Sequence, residues 1–163
     1  MILPEPPSGR FDGSCHLFAV RVYFEDTDFS GVVYHANYLR WFERARSDML
    51  RLLGIDQRAA FASGEGAYAV ADLALRYAAP ARLDDAVLIR SEVIAVSAAT
   101  CRVRQRALRG PDLLCEGQLR MAFVAPNGRA RRQPAHWLAA IAAIVSSSFP
   151  DAPPFPDKGL HVA

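Results

Sequence analysis

A chain of 163 residues is long enough for one domain with a real core. Its 52% hydrophobic and 22% charged residues make a globular composition rather than a disordered one, and a net charge of +2 argues against nucleic acid or another dominant polyanion as partner. No apolar run approaches the ~18 residues of a membrane span, and the three cysteines (Cys15, Cys101, Cys115) are odd in number with no C-x-x-C pair, so neither membrane insertion, a disulfide framework nor a zinc site is expected.

Residues 1–14 are rich in proline and glycine and read as a flexible, unpaired arm. The opening "MILPEPPSGRFDG" has no apolar run, so it does not read as a signal peptide, and a cytoplasmic protein is expected. "HLFAVRVYFE" (His16 to Glu25) alternates, with Phe18, Val20, Val22 and Phe24 on one face, the period of a half-buried strand. "NYLRWFERARSDMLRLLGI" changes period. Tyr38, Phe42, Ala45, Met49 and Leu53 recur at helical spacing, Arg40, Glu43, Arg44 and Asp48 cover the other side, and Gly54 is a stop.

Strands follow from about Ala67. "AYAVADLALRYA" alternates and ends at Pro80. "DAVLIRSEVIAVS" and "ATCRVRQRALRG" read as a pair joined near Ser97 to Thr100. After a turn at Gly110 and Pro111 comes "LLCEGQLRMAFVAP", with Leu119, Met121 and Phe123 as an inward row. Asn127 starts another turn, and Pro134 introduces a short helix in "AHWLAAIAAIVSS". Residues 147–163 carry four prolines and read as a mobile tail, which leaves 15–146 as the domain. One strand, one long helix, a four-strand meander and a final helix make an α+β domain. A single sheet packed on one helix leaves open edges, so a homodimer or homotetramer is expected.

Between the first strand and the long helix lies "EDTDFSGVVYHANY" (Glu25 to Tyr38). Asp26, Asp28, Ser30 and Gly31 match the first half of a calcium loop, but the twelfth position is Asn37, where a bidentate Glu is required. A solvated turn with a helix cap accounts for the same residue types. A hydrolytic site is the third reading. The first N–H groups of a helix have no internal partner and can polarise a carbonyl. Gly31 would let backbone approach a ligand, and Asp28 would supply an ionised carboxylate at its mouth.

"RVYFEDTDFSGVVYHANYLRWFERARSDML" closely resembles the signature of hotdog-fold acyl-CoA thioesterases, most of all the Tol–Pal-associated branch related to 4-hydroxybenzoyl-CoA thioesterase. Tyr23, Asp26, Asp28, Gly31, Val33, His35 and Tyr38 match the pattern, and "YAAPARLDD" (Tyr77 to Asp85) resembles the family's segment after the third strand. The resemblance covers about residues 17 to 135. It implies a hotdog fold, an antiparallel sheet wrapped around one long helix, and a site at a subunit interface. It implies Asp28 as nucleophile or general base, with the backbone N–H of His35 polarising the thioester and Gly31 in the same site. Val33, Tyr34 and Tyr38 are then substrate-binding residues. Arg82, Arg129 and Arg131 are candidates for the coenzyme phosphates, ahead of the row Arg102, Arg104 and Arg106 and of Arg132. No separate cofactor or metal is implied, since coenzyme A is part of the substrate, and an acyl carrier protein is a conceivable carrier in its place. Phe29 and Ser30 depart from the family, where small residues are common. A hotdog 3-hydroxyacyl dehydratase using His35, and a non-catalytic acyl-CoA or acyl-carrier binding module, are the rival readings.

Overall fold

A run of alternating residues can bury only one face, and six such runs here join into one sheet. The structure is a computed structural model that describes residues 4–147. Its strands are β1 (Arg10–Asp12), β2 (Cys15–Arg21), β3 (Ala67–Tyr77), β4 (Ala86–Val96), β5 (Thr100–Arg109) and β6 (Asp112–Val124). Its helices are α1 (Asn37–Leu52), α2 (Gln57–Ala62) and α3 (Ala135–Ala142). The sheet is antiparallel throughout, in the order β1-β2-β4-β5-β6-β3. This is the α+β architecture that the sequence implies.

The long helix lies on the inner face of the sheet. Tyr38, Trp41, Phe42, Ala45 and Met49 are its buried stripe. Val87, Ile89, Val103, Ala107, Leu119, Met121 and Phe123 meet it from β4, β5 and β6. Each large apolar side chain buried in this way contributes about 1.5–3 kcal/mol. A polar tie fixes the helix on the sheet. The side-chain amide of Gln105 donates to the Phe42 carbonyl and to Ser91 Oγ, each at 2.9 Å, and its oxygen accepts from Arg46 at 2.6 Å. At the far end α3 closes the core, with the Trp137 ring 5.5 Å from that of Phe123.

Several expectations are corrected. The first strand ends at Arg21, and Phe24–Asp26 forms a tight 3-10 turn, so Phe24 is 84% exposed instead of facing inward. Only β4, β5 and β6 form a meander. β3 crosses over to pair with β6, with Tyr77 opposite Cys115, and its other edge is left open among the described residues. Part of the segment 1–14, expected to be unpaired, is paired: β1 bonds to β2, and Ser8 Oγ and Gly9 N–H donate to Asp48 at 2.9 and 2.8 Å. Those donors explain why Asp48 is buried on α1, where helical spacing placed it on the solvent side. Its second oxygen also meets His16 Nε2 at 2.8 Å. The helix α2 is an addition, capped by the Asp56 carboxylate, which accepts from Ala59 N–H at 2.9 Å. The proline-rich tail, after residue 147, lies outside the described residues.

Candidate active site

The chain between β2 and α1 is shaped by its own short polar side chains. Asp26 accepts from Tyr23 N–H at 2.7 Å and from the Asn37 side chain at 3.1 Å, which ties the turn to the start of α1. Beyond it, Thr27 and Val33 bridge as a miniature ladder, and residues 28–32 form the loop at its tip. Asp28 N–H donates to Val32 O at 2.9 Å and Gly31 N–H to Asp28 O at 3.0 Å. Closing so tight a loop needs a left-handed residue, and Gly31 supplies it at φ 76°.

Asp28 stands exposed at this tip. Ser30 donates to its Oδ1 from both the hydroxyl and the backbone N–H, the latter at 2.8 Å. Those two bonds, with a smaller contribution from the His35 imidazole, hold the carboxyl below its ordinary value of 3.8. Asp28 is therefore ionised at neutral pH. Asp26 and Asp28 serve different partners, as a cap and as a free-standing carboxylate, and do not converge as a calcium loop requires.

Two bonds pin the next segment. Val33 N–H donates to Ala81 O and Tyr34 N–H to Asp26 O, each at 2.9 Å. Val33 is buried and Tyr34 exposed, its ring 4.4 Å from the His35 ring. Tyr38 is buried in the first turn of α1, where its hydroxyl accepts from Ala81 N–H at 3.2 Å. The loop from Ala78 to Asp85 is thus held against the site, and it carries the exposed Arg82. The backbone N–H of Arg82 donates to Asp85 at 2.9 Å, which fixes the loop beneath its side chain.

The N–H groups of His35 and Ala36 have no acceptor among the described residues. They stand at the positive end of α1, where unpaired donors and the helix dipole together favour a developing negative charge. An ionised carboxylate and two unsatisfied donors on one short segment can attack, or activate water against, a polarised carbonyl.

Arg129 and Arg131 are elsewhere. Arg131 donates to Glu65 O at 2.6 Å, just before β3 begins, whereas Asp28 and His35 lie at the end where β3 finishes. Eleven residues of strand separate the two ends by roughly 33 Å. Within one chain these arginines do not meet the carboxylate. Beside them an apolar groove of about 490 Å³ is lined by Phe61, Gly66, Val124 and Pro126. Arg104 pairs with Glu116 and Arg106 with Glu92 on the outer face of the sheet, so these side chains serve ion pairs there. One residue that sequence reasoning passed over is Tyr77, whose hydroxyl donates to His35 O at 2.9 Å. Its position at the head of "YAAPARLDD" was the available signal.

A family model described as the thioesterase-like superfamily matches residues 22–161. The acyl-CoA thioesterase YbgC of Haemophilus influenzae is 43% identical over 107 residues, covering 66% of this chain and 79% of that one. The acyl-CoA thioester hydrolase YbgC of Escherichia coli O6:H1 is 41% identical over 108 residues, covering 66% and 80%. Among solved structures, a probable thioesterase from Bartonella henselae superposes with a TM-score of 0.69 at 35% identity, covering 74% of this chain and 99% of that one. A 1,4-dihydroxy-2-naphthoyl-CoA thioesterase from Synechocystis gives 0.74 at 23% identity over 78% and 96%, a likeness of fold.

Proposed function

This chain belongs to the thioesterase-like superfamily, and from that membership we propose that it hydrolyses acyl-CoA thioesters to free acid and coenzyme A. The observation that carries the reading is the joint presence, on residues 28–36, of an ionised carboxylate and two backbone donors without acceptors. The thioester oxygen would sit on the His35 and Ala36 N–H groups. Asp28 then acts in one of two ways. As nucleophile it attacks the carbonyl carbon, the C–S bond breaks, coenzyme A leaves as thiolate, and water hydrolyses the resulting anhydride. As general base it takes a proton from the water that attacks. Either way negative charge grows on the carbonyl oxygen, and one donor placed for it is worth about 100- to 1000-fold in rate.

The reading extends to a homodimer. β3 offers an open edge with Val70, Leu73 and Tyr77 exposed along it. Antiparallel pairing of two such edges about their midpoints would set the start of one β3 beside the end of the other. Arg129 and Arg131 of one copy would then approach Asp28 of the second, where they and Arg82 could take the coenzyme phosphates. The Phe61 groove would lie along the same seam, suited to the acyl group.

The test is release of free thiol from a panel of short, long and aromatic acyl-CoAs by the wild type and by Asp28→Asn. Loss of turnover in the variant with an unchanged melting curve is expected. Near-wild-type release by the variant overturns the mechanism. An enoyl thioester formed without free thiol would instead support dehydration, and binding without turnover a carrier role.

A further inference from the structure

A peptide unit is planar, so the carbonyl of one residue and the N–H of the next point in opposite directions and move together. Fixing the carbonyl aims the N–H. At the start of α1 this matters twice. The His35 N–H shares its plane with the Tyr34 carbonyl, which accepts from Asn37 N–H at 2.9 Å. That bond closes a local turn and needs no other part of the chain.

The Ala36 N–H shares its plane with the His35 carbonyl, and here the situation differs. In a regular helix that carbonyl would receive Leu39 N–H. Leu39 instead donates to Ala36 O at 3.2 Å, and α1 begins only at Asn37. The His35 carbonyl is therefore outside the helical ladder. Its partner comes from the other side of the fold, the Tyr77 hydroxyl at 2.9 Å. Tyr77 is the last residue of β3, and its ring is clamped. It stands edge-on to Tyr38 at 5.7 Å and to His35 at 6.3 Å. Although the side chain is 46% exposed, these two ring contacts and the bond to the His35 carbonyl hold the hydroxyl in place.

We propose that Tyr77 is a positioning residue: by holding the His35 carbonyl it aims the Ala36 N–H beside that of His35, so that the thioester oxygen meets two backbone donors. This rests on the thioesterase reading of the site. A donor that is fixed before reaction costs no reorganisation when charge develops, whereas an untethered peptide must find its orientation each time. The bond acts on the charge that develops in the transition state more than on the neutral ground-state carbonyl, so its loss belongs in kcat.

Tyr77→Phe keeps the ring and removes only the hydroxyl. Wild type, Tyr77→Phe and Asp28→Asn are compared on the acyl-CoA that the wild type hydrolyses best, with melting curves for all three. For Tyr77→Phe we expect kcat to fall ~10- to 100-fold, part of the value of one donor, with KM within about two-fold and an unchanged melting temperature. A purely structural role would lower the melting temperature or move KM and leave kcat, and that outcome overturns the inference. So does a wild-type kcat. If Asp28→Asn is inactive while Tyr77→Phe is not impaired, the inference fails and the thioesterase reading stands. If the wild type releases no thiol from any acyl-CoA, the reading beneath the inference fails and both fall.

Discussion

Ser30 commits both of its donors to one oxygen of Asp28, leaving Oδ2 without a partner among the described residues. One oxygen is tethered and the other is free to react, so Ser30 orients the carboxylate. The sign of its effect on acidity follows. Donors favour the charged form and lower the carboxyl's pKa. In Ser30→Ala the hydroxyl is gone and only the backbone bond remains. The acid limb of kcat/KM should move to higher pH while the plateau near neutrality persists. A pH–rate profile on both proteins checks this, and an unmoved limb would show that another group sets it.

Tyr38 is a latch as well as a wall. Ala81 is fully buried, and its N–H donates to the Tyr38 hydroxyl. Tyr38→Phe would leave that donor unsatisfied at a cost of about 1–3 kcal/mol. We expect a lower denaturant midpoint with an unchanged slope, measured by equilibrium urea unfolding.

His16 and Asp48 set a pH limit on stability. Burial pushes the His16 imidazole below its ordinary 6.5, despite the opposing pull of Asp48. It is therefore neutral in the folded chain and protonated more readily in the unfolded one. The unfolded state takes up more protons as pH falls below about 6.5, so this contribution to stability is complete above that value and is lost on acidification. Burial alone would raise Asp48, but the bonds from Gly9, His16, Ser8 and Arg51 together hold it below 3.8, which opens a second loss in stronger acid. Unfolding free energies measured from pH 7 downward should decline in these two steps. Replacing Asp48 by Asn should lower stability already at pH 7, because it weakens the acceptor for four donors, and should remove the second step, because an amide does not titrate.

Gly9 makes the same contact sensitive to a single methyl group. A Cβ there would stand 2.3 Å from Leu17 O and 2.6 Å from His16 Nε2, both inside any tolerable contact. Gly9→Ala should lower the melting temperature and free the arm ahead of β1. Limited proteolysis should then cut before Arg10 in the variant and spare the wild type.

If two β3 edges pair as proposed, a charge in the seam should separate them. Leu73 is exposed mid-strand on that edge. Leu73→Lys is expected to shift the protein toward monomer in sedimentation and to reduce turnover, through loss of the second copy's arginines. A variant that sediments as wild type would remove the edge as the interface.

The periodic parts of this fold are readable because periodicity is a local property. The stripe from Tyr38 to Met49 and the inward row Leu119, Met121, Phe123 appear where spacing puts them. Positions that fail do so through partners distant in sequence. Asp48 is buried by Ser8, Gly9 and His16, about forty and thirty-two residues away, and no helical pattern contains them. The crossover of β3 to β6 is likewise a pairing decision and leaves no mark in alternation. At the site, Asp28, Gly31 and His35 are contiguous in sequence and were legible as a motif. The contribution of Tyr77 arrives through a bond spanning 42 positions, and only the structure reveals it.

The three cysteines carry a practical consequence. All are buried and unpaired, and desolvation pushes the thiols of Cys101 and Cys115 up to about 12. Those two thiols therefore offer almost no thiolate to a disulfide reagent, and Cys15 is shielded from one by burial. In an assay that counts released sulfhydryls, the colour comes from coenzyme A alone for as long as the protein stays folded. Any slow upward drift in an enzyme-only blank is then a clock for its opening, so one cuvette reports both catalysis and integrity.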